Sequence, residues 1–307
     1  RAARVARSLM GHWTPAQLPS YAAKRAVVTG ANSGIGLHTA DALAARGADV
    51  TLACRDVAKG EEAARRMRGG TVRVEHLDLS SLASVATFAK GWSGPLDLLV
   101  NNAGVMTPPH WRSTEDGFEL QLGTNHLGHF ALTAGLVPAL LAAPAARVVT
   151  VASLAHHGGT PAVLQGNPPE TYHPERCYGN SKLANVLFAR ELQRRAAGTT
   201  LTSTAAHPGV SATGLVGDPD GMGANPFIRL VAPVLMPVLF QSARRGAEPV
   251  LYAAAVAEPG SYSGPQRFRE YRGYAGPARL SEHAQDDALA AALWEWSEEQ
   301  TGLSFPL

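Results

Sequence analysis

Tyr178 and Lys182 stand at positions i and i+4, so on a helix they share one face and their head groups converge on one ligand. An ammonium beside a phenol favours the phenolate and draws the phenol down from its ordinary pKa of about 10, towards the range of a working proton donor. A second constellation lies upstream, in the run TGANSGIG at 29–36, after a β-type run and at the start of a helical one. There Gly30 permits a tight turn, Gly34 lets backbone approach a pyrophosphate, and Gly36 allows close helix packing, with helix-start N–H groups facing the phosphates. Alone, such a turn is a weak signal, and it gains weight only from company. The histidines carry no metal reading: His126 and His129 are three apart, His156 and His157 adjacent, and no Cys or Glu at zinc-binding spacing accompanies them.

The elements that must position these groups are set by a chain of 307 residues, 45% hydrophobic and 17% charged, long enough for a large core and too apolar for disorder. A net charge of +2 is too small to imply a nucleic-acid or anionic-membrane partner, which leaves a small molecule as the default ligand. Two cysteines, Cys54 and Cys177, exclude a disulfide framework and a Cys-based zinc site and fit a reducing, cytoplasmic setting. The longest apolar run, 231–240, is about half of the ~20 residues a membrane-spanning helix needs and is broken by Pro233 and Pro237, so no membrane span is expected. Residues 1–20 read as a poorly ordered N-terminal extension, although Arg1, Arg4 and Arg7, with no acidic residue before Asp41, also loosely fit a transit peptide.

From Arg25 onward, β-type runs at 25–29, 48–54, 71–77, 96–100, 147–152 and 199–206 alternate with helical stretches at 35–46, 57–67, 81–90, 119–141 and 182–197. Strands separated by helices predict an α/β fold with a doubly wound parallel sheet of Rossmann type, in one domain over 21–307. Beyond Pro208 the rhythm degrades: 209–245 reads as a substrate loop or lid, followed by a helix over 243–257. Residues 158–176 and 261–279 read as variable surface, and 284–299 as a closing helix whose Leu289, Leu293 and Trp296 recur at helical spacing as core.

The Gly-x-x-x-Gly-x-Gly spacing of Gly30, Gly34 and Gly36 is followed in order by Asp78 and Leu79 after the third strand, NNAG at 101–104, Asn125 in the long helix, and YGNSK at 178–182. With these motifs the chain resembles the short-chain dehydrogenase/reductase family over about 24–302. ACRD at 53–56, NHLGHF at 125–130, ASLAHH at 152–157 and SKLANVLF at 181–188 resemble its retinol dehydrogenase-like branch. The resemblance implies that Tyr178 donates a proton to the substrate carbonyl, Ser153 polarises the same oxygen, Lys182 also binds the nicotinamide ribose, and Asn125 holds a water that continues the relay towards Lys182. It further implies a cofactor site made of Gly30, Asn32, Ser33, Gly34, Ile35, Gly36, Arg55, Asp78, Leu79, Asn102, Ala103, Gly104, Tyr178 and Lys182. After the sixth strand, Pro208, Gly209 and Val210 would lie beside the nicotinamide, with Thr213 on its carboxamide or the phosphates. Ser153 and Tyr178 lie farther apart in sequence than in most members; the surplus, 158–177, need not part the side chains, since its ends sit on the strand and helix that hold them.

Cys54 stands where NAD-selective relatives carry an acid for the ribose hydroxyls, and Arg55 follows, whose guanidinium can grip a 2′-phosphate bidentately and stack on adenine. NADP(H) is therefore the expected cofactor, with Asp56 read as a helix cap and, in competition, as a ribose-binding acid. Ser33 occupies the place where some NADP-preferring relatives carry a base. The expected function is interconversion of a carbonyl and an alcohol on a lipophilic small molecule, a substrate class suggested by the apolar stretch 224–240. The alternatives are a catalytically silent NADP-binding sensor or scaffold, and a C=C reductase of the protochlorophyllide reductase type. The resemblance also suggests a homodimer paired through the helices carrying Asn125 and Tyr178, and the Ala- and Arg-rich composition suggests a bacterial source.

Overall fold

β1 (Arg25–Thr29), β2 (Asp49–Cys54), β4 (Leu98–Asn101) and β5 (Ala146–Val151) are short aliphatic runs, and alternate residues along them serve opposite faces of one sheet. Val27, Leu99 and Val148 join a core with Phe88, Phe130, Phe188 and Trp294, whereas Ala26, Val28, Leu98, Val100 and Val149 join another with Leu43, Val250 and Leu251. A strand buried on both faces needs helices on both. They are α1 (Gly34–Ala44), α2 (Val57–Ala64), α3 (Leu82–Gly91), α4 (Gly128–Leu141), α5 (Pro174–Arg195), α6 (Ala243–Ala255) and α7 (Asp287–Thr301). The computed structural model describes residues 12–212 and 241–307, so most of the expected lid, including Thr213 and the apolar 224–240, lies outside the described residues.

With β3 (Val72–His76), β6 (Leu201–Ala206), β7 (Tyr262–Arg267) and β8 (Arg272–Pro277), the sheet has eight strands in the order β8-β7-β6-β5-β4-β1-β2-β3. β1 pairs in parallel with both β2 and β4, so the chain reverses direction across the sheet there and leaves a crevice at the strands' carboxyl ends. The sheet is not wholly parallel: β8 runs antiparallel to β7, which itself lies parallel beside β6. Residues 261–279, expected as variable surface, are thus a hairpin that extends the sheet. Gly264, Pro265, Gly273 and Gly276 hide its strand pattern, because glycine and proline are depleted in ordinary strands.

Three further expectations shift. α5 starts at Pro174, not at 182, because Pro174 occupies the first helical turn, where its missing N–H costs nothing. The long helix before β5 is interrupted by a π turn over Gly123–Leu127, which contains Asn125. Part of the extension set aside as poorly ordered is built into the fold: Leu18 is buried in the core and Trp13 meets Tyr252 edge-on at 5.5 Å, because their apolar surface covers α6. Trp294 of α7 stacks on Phe188 of α5 and packs on Phe130 of α4. No helix among the described residues is long and apolar enough to cross a membrane.

Candidate active site

Thr29, the last residue of β1, is the hub of the crevice. Its Oγ accepts from the main-chain N–H groups of Asn102 and Ala103, each at 2.9 Å, and Asn102 Nδ2 donates back to the Thr29 carbonyl at 2.8 Å. The Asn125 carbonyl, 2.9 Å from His129 Nδ1, can only accept, so Nδ1 carries the ring proton and Nε2 accepts from the Thr29 hydroxyl at 2.9 Å, closer than the Val100 carbonyl at 3.4 Å. Burial holds His129 down to about 4, which keeps it in that neutral tautomer. Thus three segments far apart in sequence are tied to one hydroxyl. Neither Thr29 nor His129 stood out individually in the sequence; a polar residue at a strand end and a histidine four positions after Asn125 in an apolar helix were the available signals.

The glycines of this crevice are there for space. At Gly36 a Cβ would come within 2.5 Å of Asn102 Nδ2 and 2.6 Å of the Gly30 carbonyl, and at Gly104 within 2.9 Å of Asn125 Oδ1 and 3.4 Å of Lys182 Nζ. Gly30 and Gly34 have φ of +64° and +58°, the left-handed region that glycine enters freely. α1 begins at Gly34 with no side-chain cap from Ser33, so its first N–H groups have no partner within the helix. Ile35 packs beside them, and Asn32 and Ala31 direct their N–H groups at the Cys54 sulfur. A close-walled turn with uncapped helix-start donors fits a dinucleotide pyrophosphate.

Asn125 spends its side chain on structure. Oδ1 accepts from Val105 N at 2.8 Å, while Nδ2 donates to the Val105 carbonyl at 3.0 Å and to Ser181 Oγ at 2.9 Å. What it can offer a water is the second lone pair of its carbonyl. Ser153 follows β5 and caps a 3-10 turn, accepting from Ala155 N at 3.2 Å, and its side chain faces the Tyr178 hydroxyl, where it favours the phenolate. The insertion therefore leaves Ser153 and Tyr178 side by side. Lys182, 3% exposed, reaches the Val151 carbonyl at 3.4 Å and lies 5.6 Å from the centre of the Tyr178 ring.

The expected pull of Lys182 on Tyr178 is not what dominates. Burial pushes the phenol up to about 12, against the Ser153 hydrogen bond, and pushes the ammonium down to about 8. Removing both groups from water favours the neutral form of each, and that outweighs their mutual attraction. The pair is a neutral phenol donor beside an ammonium whose pKa is brought down towards neutral pH. Of the remaining histidines, His126 bonds Ser297 Oγ at 2.8 Å and is held down to about 3 by burial, as befits a core residue.

A short-chain dehydrogenase family model matches residues 24–220. The chain belongs to that family. It is 41% identical to human retinol dehydrogenase 13 over 291 residues, covering 92% of this chain and 86% of the relative. Human retinol dehydrogenase 12 is 41% identical over 297 residues, covering 94% and 89%. Among solved structures, an uncharacterised protein from Mycobacterium paratuberculosis is 45% identical with a TM-score of 0.80, covering 97% of this chain and all of that one. An NAD(P)-dependent gluconate 5-dehydrogenase from Beutenbergia cavernae, with bound NADP, is 25% identical with a TM-score of 0.60, over 79% and 95%. This short-chain dehydrogenase is thus a retinol dehydrogenase-like oxidoreductase of the alcohol/carbonyl class that uses NAD(P)(H).

In the dehydrogenase, the end of β2 separates the two readings of Asp56. Its carboxylate accepts from Lys59 N at 3.0 Å and pairs with Lys59 Nζ at 2.9 Å, as a cap of α2. Cys54 is buried, its thiol pushed up to about 11, while Arg55 is exposed. After β3, Asp78 Oδ1 accepts from Ser80 N at 2.9 Å and Ser80 Oγ at 2.6 Å, and Leu79 packs where Gly128 brings α4 close. Pro208, Gly209 and Val210 leave β6 towards the same cleft edge, with Val210 N bonded to the Tyr271 carbonyl at 2.9 Å.

Proposed function

We propose that this enzyme transfers hydride between NADP(H) and a carbonyl or alcohol carbon of a lipophilic small molecule, with Tyr178 as its general acid and base. The observation that carries the reading is the Tyr178 hydroxyl facing Ser153, whose side chain favours the phenolate, with an enclosed Lys182 5.6 Å from the ring. Two hydroxyls that face each other can both donate to one carbonyl oxygen, and a substrate oxygen between them would develop negative charge against fixed donors. Tyr178 gives its proton to that oxygen in reduction and takes it back in oxidation. Lys182, with a pKa near 8, can replace the proton through the phenol or hold the phenolate by its charge. The bound nicotinamide supplies or accepts the hydride.

NADP rather than NAD is supported by Arg55, exposed at the end of β2, and by Asp56, whose carboxylate is engaged in capping. The relatives named for retinol, a lipophilic alcohol, support the substrate class. A silent NADP-binding protein would not need the assembled Ser153, Tyr178 and Lys182. The test is loss of NADPH absorbance with a panel of lipophilic ketones and aldehydes, run beside NADH. Turnover with NADPH, reduced about 10²–10⁴-fold in Tyr178→Phe with cofactor binding intact, is the expected result. Unchanged turnover in the variant removes Tyr178 from the mechanism, and equal use of NADH removes the selectivity.

A further inference from the structure

His207, directly after β6, is fully enclosed. Its Nδ1 lies 3.2 Å from the main-chain nitrogen of Gly209, a group that can only donate, so Nδ1 bears the lone pair and the ring proton sits on Nε2. That proton points at Glu270 Oε2, 3.2 Å away, and the other carboxylate oxygen accepts from Arg279 N at 3.1 Å. The imidazole is therefore a two-ended connector: one end holds the Gly209 amide, the other is held by a carboxylate from the turn between β7 and β8.

The surroundings are shaped around this connection. Phe268, Arg269 and Glu270 have φ of 51°, 54° and 69°, three successive non-glycine residues in the left-handed region, which such residues occupy only when neighbouring contacts enforce it. The Tyr271 carbonyl accepts from Val210 N at 2.9 Å, so the same turn grips the loop at a second point. Gly264 leaves room for the ring, since a Cβ there would fall 1.9 Å from His207 Nε2, and Gly209, at φ +66°, would bring a Cβ within 2.4 Å of the Tyr271 carbonyl.

We infer that His207 and Glu270 are positioning residues: a latch by which the β7–β8 turn sets the loop 208–210, and through it the binding of the cofactor's nicotinamide half, without touching the cofactor. The cofactor arm of this inference rests on the NADP(H) reading above; the loop arm does not. Breaking the latch should loosen one half of the ligand and spare the other, because the adenosine half is held by the separate Thr29-tied turns.

The experiment uses the whole chain and the variants Glu270→Ala and Glu270→Gln, with NADPH and 2′,5′-ADP, which lacks the nicotinamide half, titrated calorimetrically. Hydrogen exchange over 207–210 is followed in parallel without ligand. Glu270→Ala should weaken NADPH about tenfold, the scale of one lost hydrogen bond to a charged group, and leave 2′,5′-ADP unchanged. Glu270→Gln, whose amide oxygen still accepts from Nε2, should recover most of the loss. Exchange at 207–210 should quicken in the alanine variant and return in the glutamine one. Equal weakening of both ligands, or unchanged exchange at 207–210 in Glu270→Ala, overturns the latch. If the unmutated chain binds neither ligand, the cofactor reading fails, and the exchange result alone still decides whether the latch exists.

Discussion

The two sides of the cleft are held by different means. On the side of the glycine-rich turn, the turns after β1 and β4 converge on Thr29 Oγ through main-chain donors, with clearances at Gly36 and Gly104 that no side chain could share. On the side of the helix carrying Tyr178, side-chain hubs gather residues from distant segments. Asn167, at φ 56°, donates to Glu119 Oε2 at 3.1 Å, accepts from Asn180 Nδ2 at 2.9 Å, and offers its carbonyl to Trp111 Nε1 at 3.1 Å, which pins the 158–177 insertion against the helices carrying Asn125 and Tyr178. Backbone geometry shaped to one ligand tolerates little variation, whereas a wall built from side chains can be rebuilt around another substrate without moving the chemistry.

Substitutions can break or sharpen that contrast. Gly36→Val drives side-chain atoms into Asn102 and the Gly30 carbonyl, so turnover should fall by about 10²-fold or more, the scale of displacing a bound reactant by an ångström. The protein should still unfold cooperatively in urea. A variant with ordinary turnover would show that the cofactor side is more forgiving than its clearances allow. Asn167→Ala leaves Glu119 and Asn180 each short of a buried partner and puts alanine in a left-handed conformation, which should cost about 2–4 kcal/mol in urea unfolding. NADPH affinity should stay within twofold if the two sides are independent; parallel loss of both would merge them.

Lys182, at the seam, should show the smallest and oppositely signed effect. Its ammonium is held down to about 8 by burial, whereas in the unfolded chain it titrates near 10.4, so below pH 8 the native state carries the cost of a buried charge. Between those values the unfolded state binds more protons and wild-type stability from this group rises with pH. Lys182→Met, inactive, should therefore be more stable by about 1–3 kcal/mol at pH 7, an advantage that shrinks as pH rises through 8 towards 10.4. An advantage constant with pH, read from urea unfolding at several pH values, would mean that the gain comes from packing alone.

The contrast also explains what could be read in advance. Gly30, Gly34, Gly36, the NNAG turn and the Tyr178–Lys182 pair were legible because each is a local device: a dihedral requirement, a steric clearance or a helical repeat confines the signal to a few neighbouring positions. The βαβ rhythm was legible for the same reason, since burial on two faces imposes strand and helix periods on contiguous residues. The hairpin over 262–277 was not, because Gly264 makes room for His207 and Pro265 packs on Gly209 of the loop after β6, both from outside it, while Gly273 and Gly276 clear Arg267 and Gln266 across its two strands.

The sequence by itself determined the doubly wound sheet, the glycine-rich turn at the β1–β4 crevice and the shared helix face of Tyr178 and Lys182, because these follow from periodicity and backbone sterics written in short runs. Only the tertiary structure decided that burial raises Tyr178 and lowers Lys182, which atom of His129 carries the proton, and that Glu270 holds His207. Desolvation and hydrogen-bond direction depend on groups brought together from far along the chain, and no local pattern encodes their meeting.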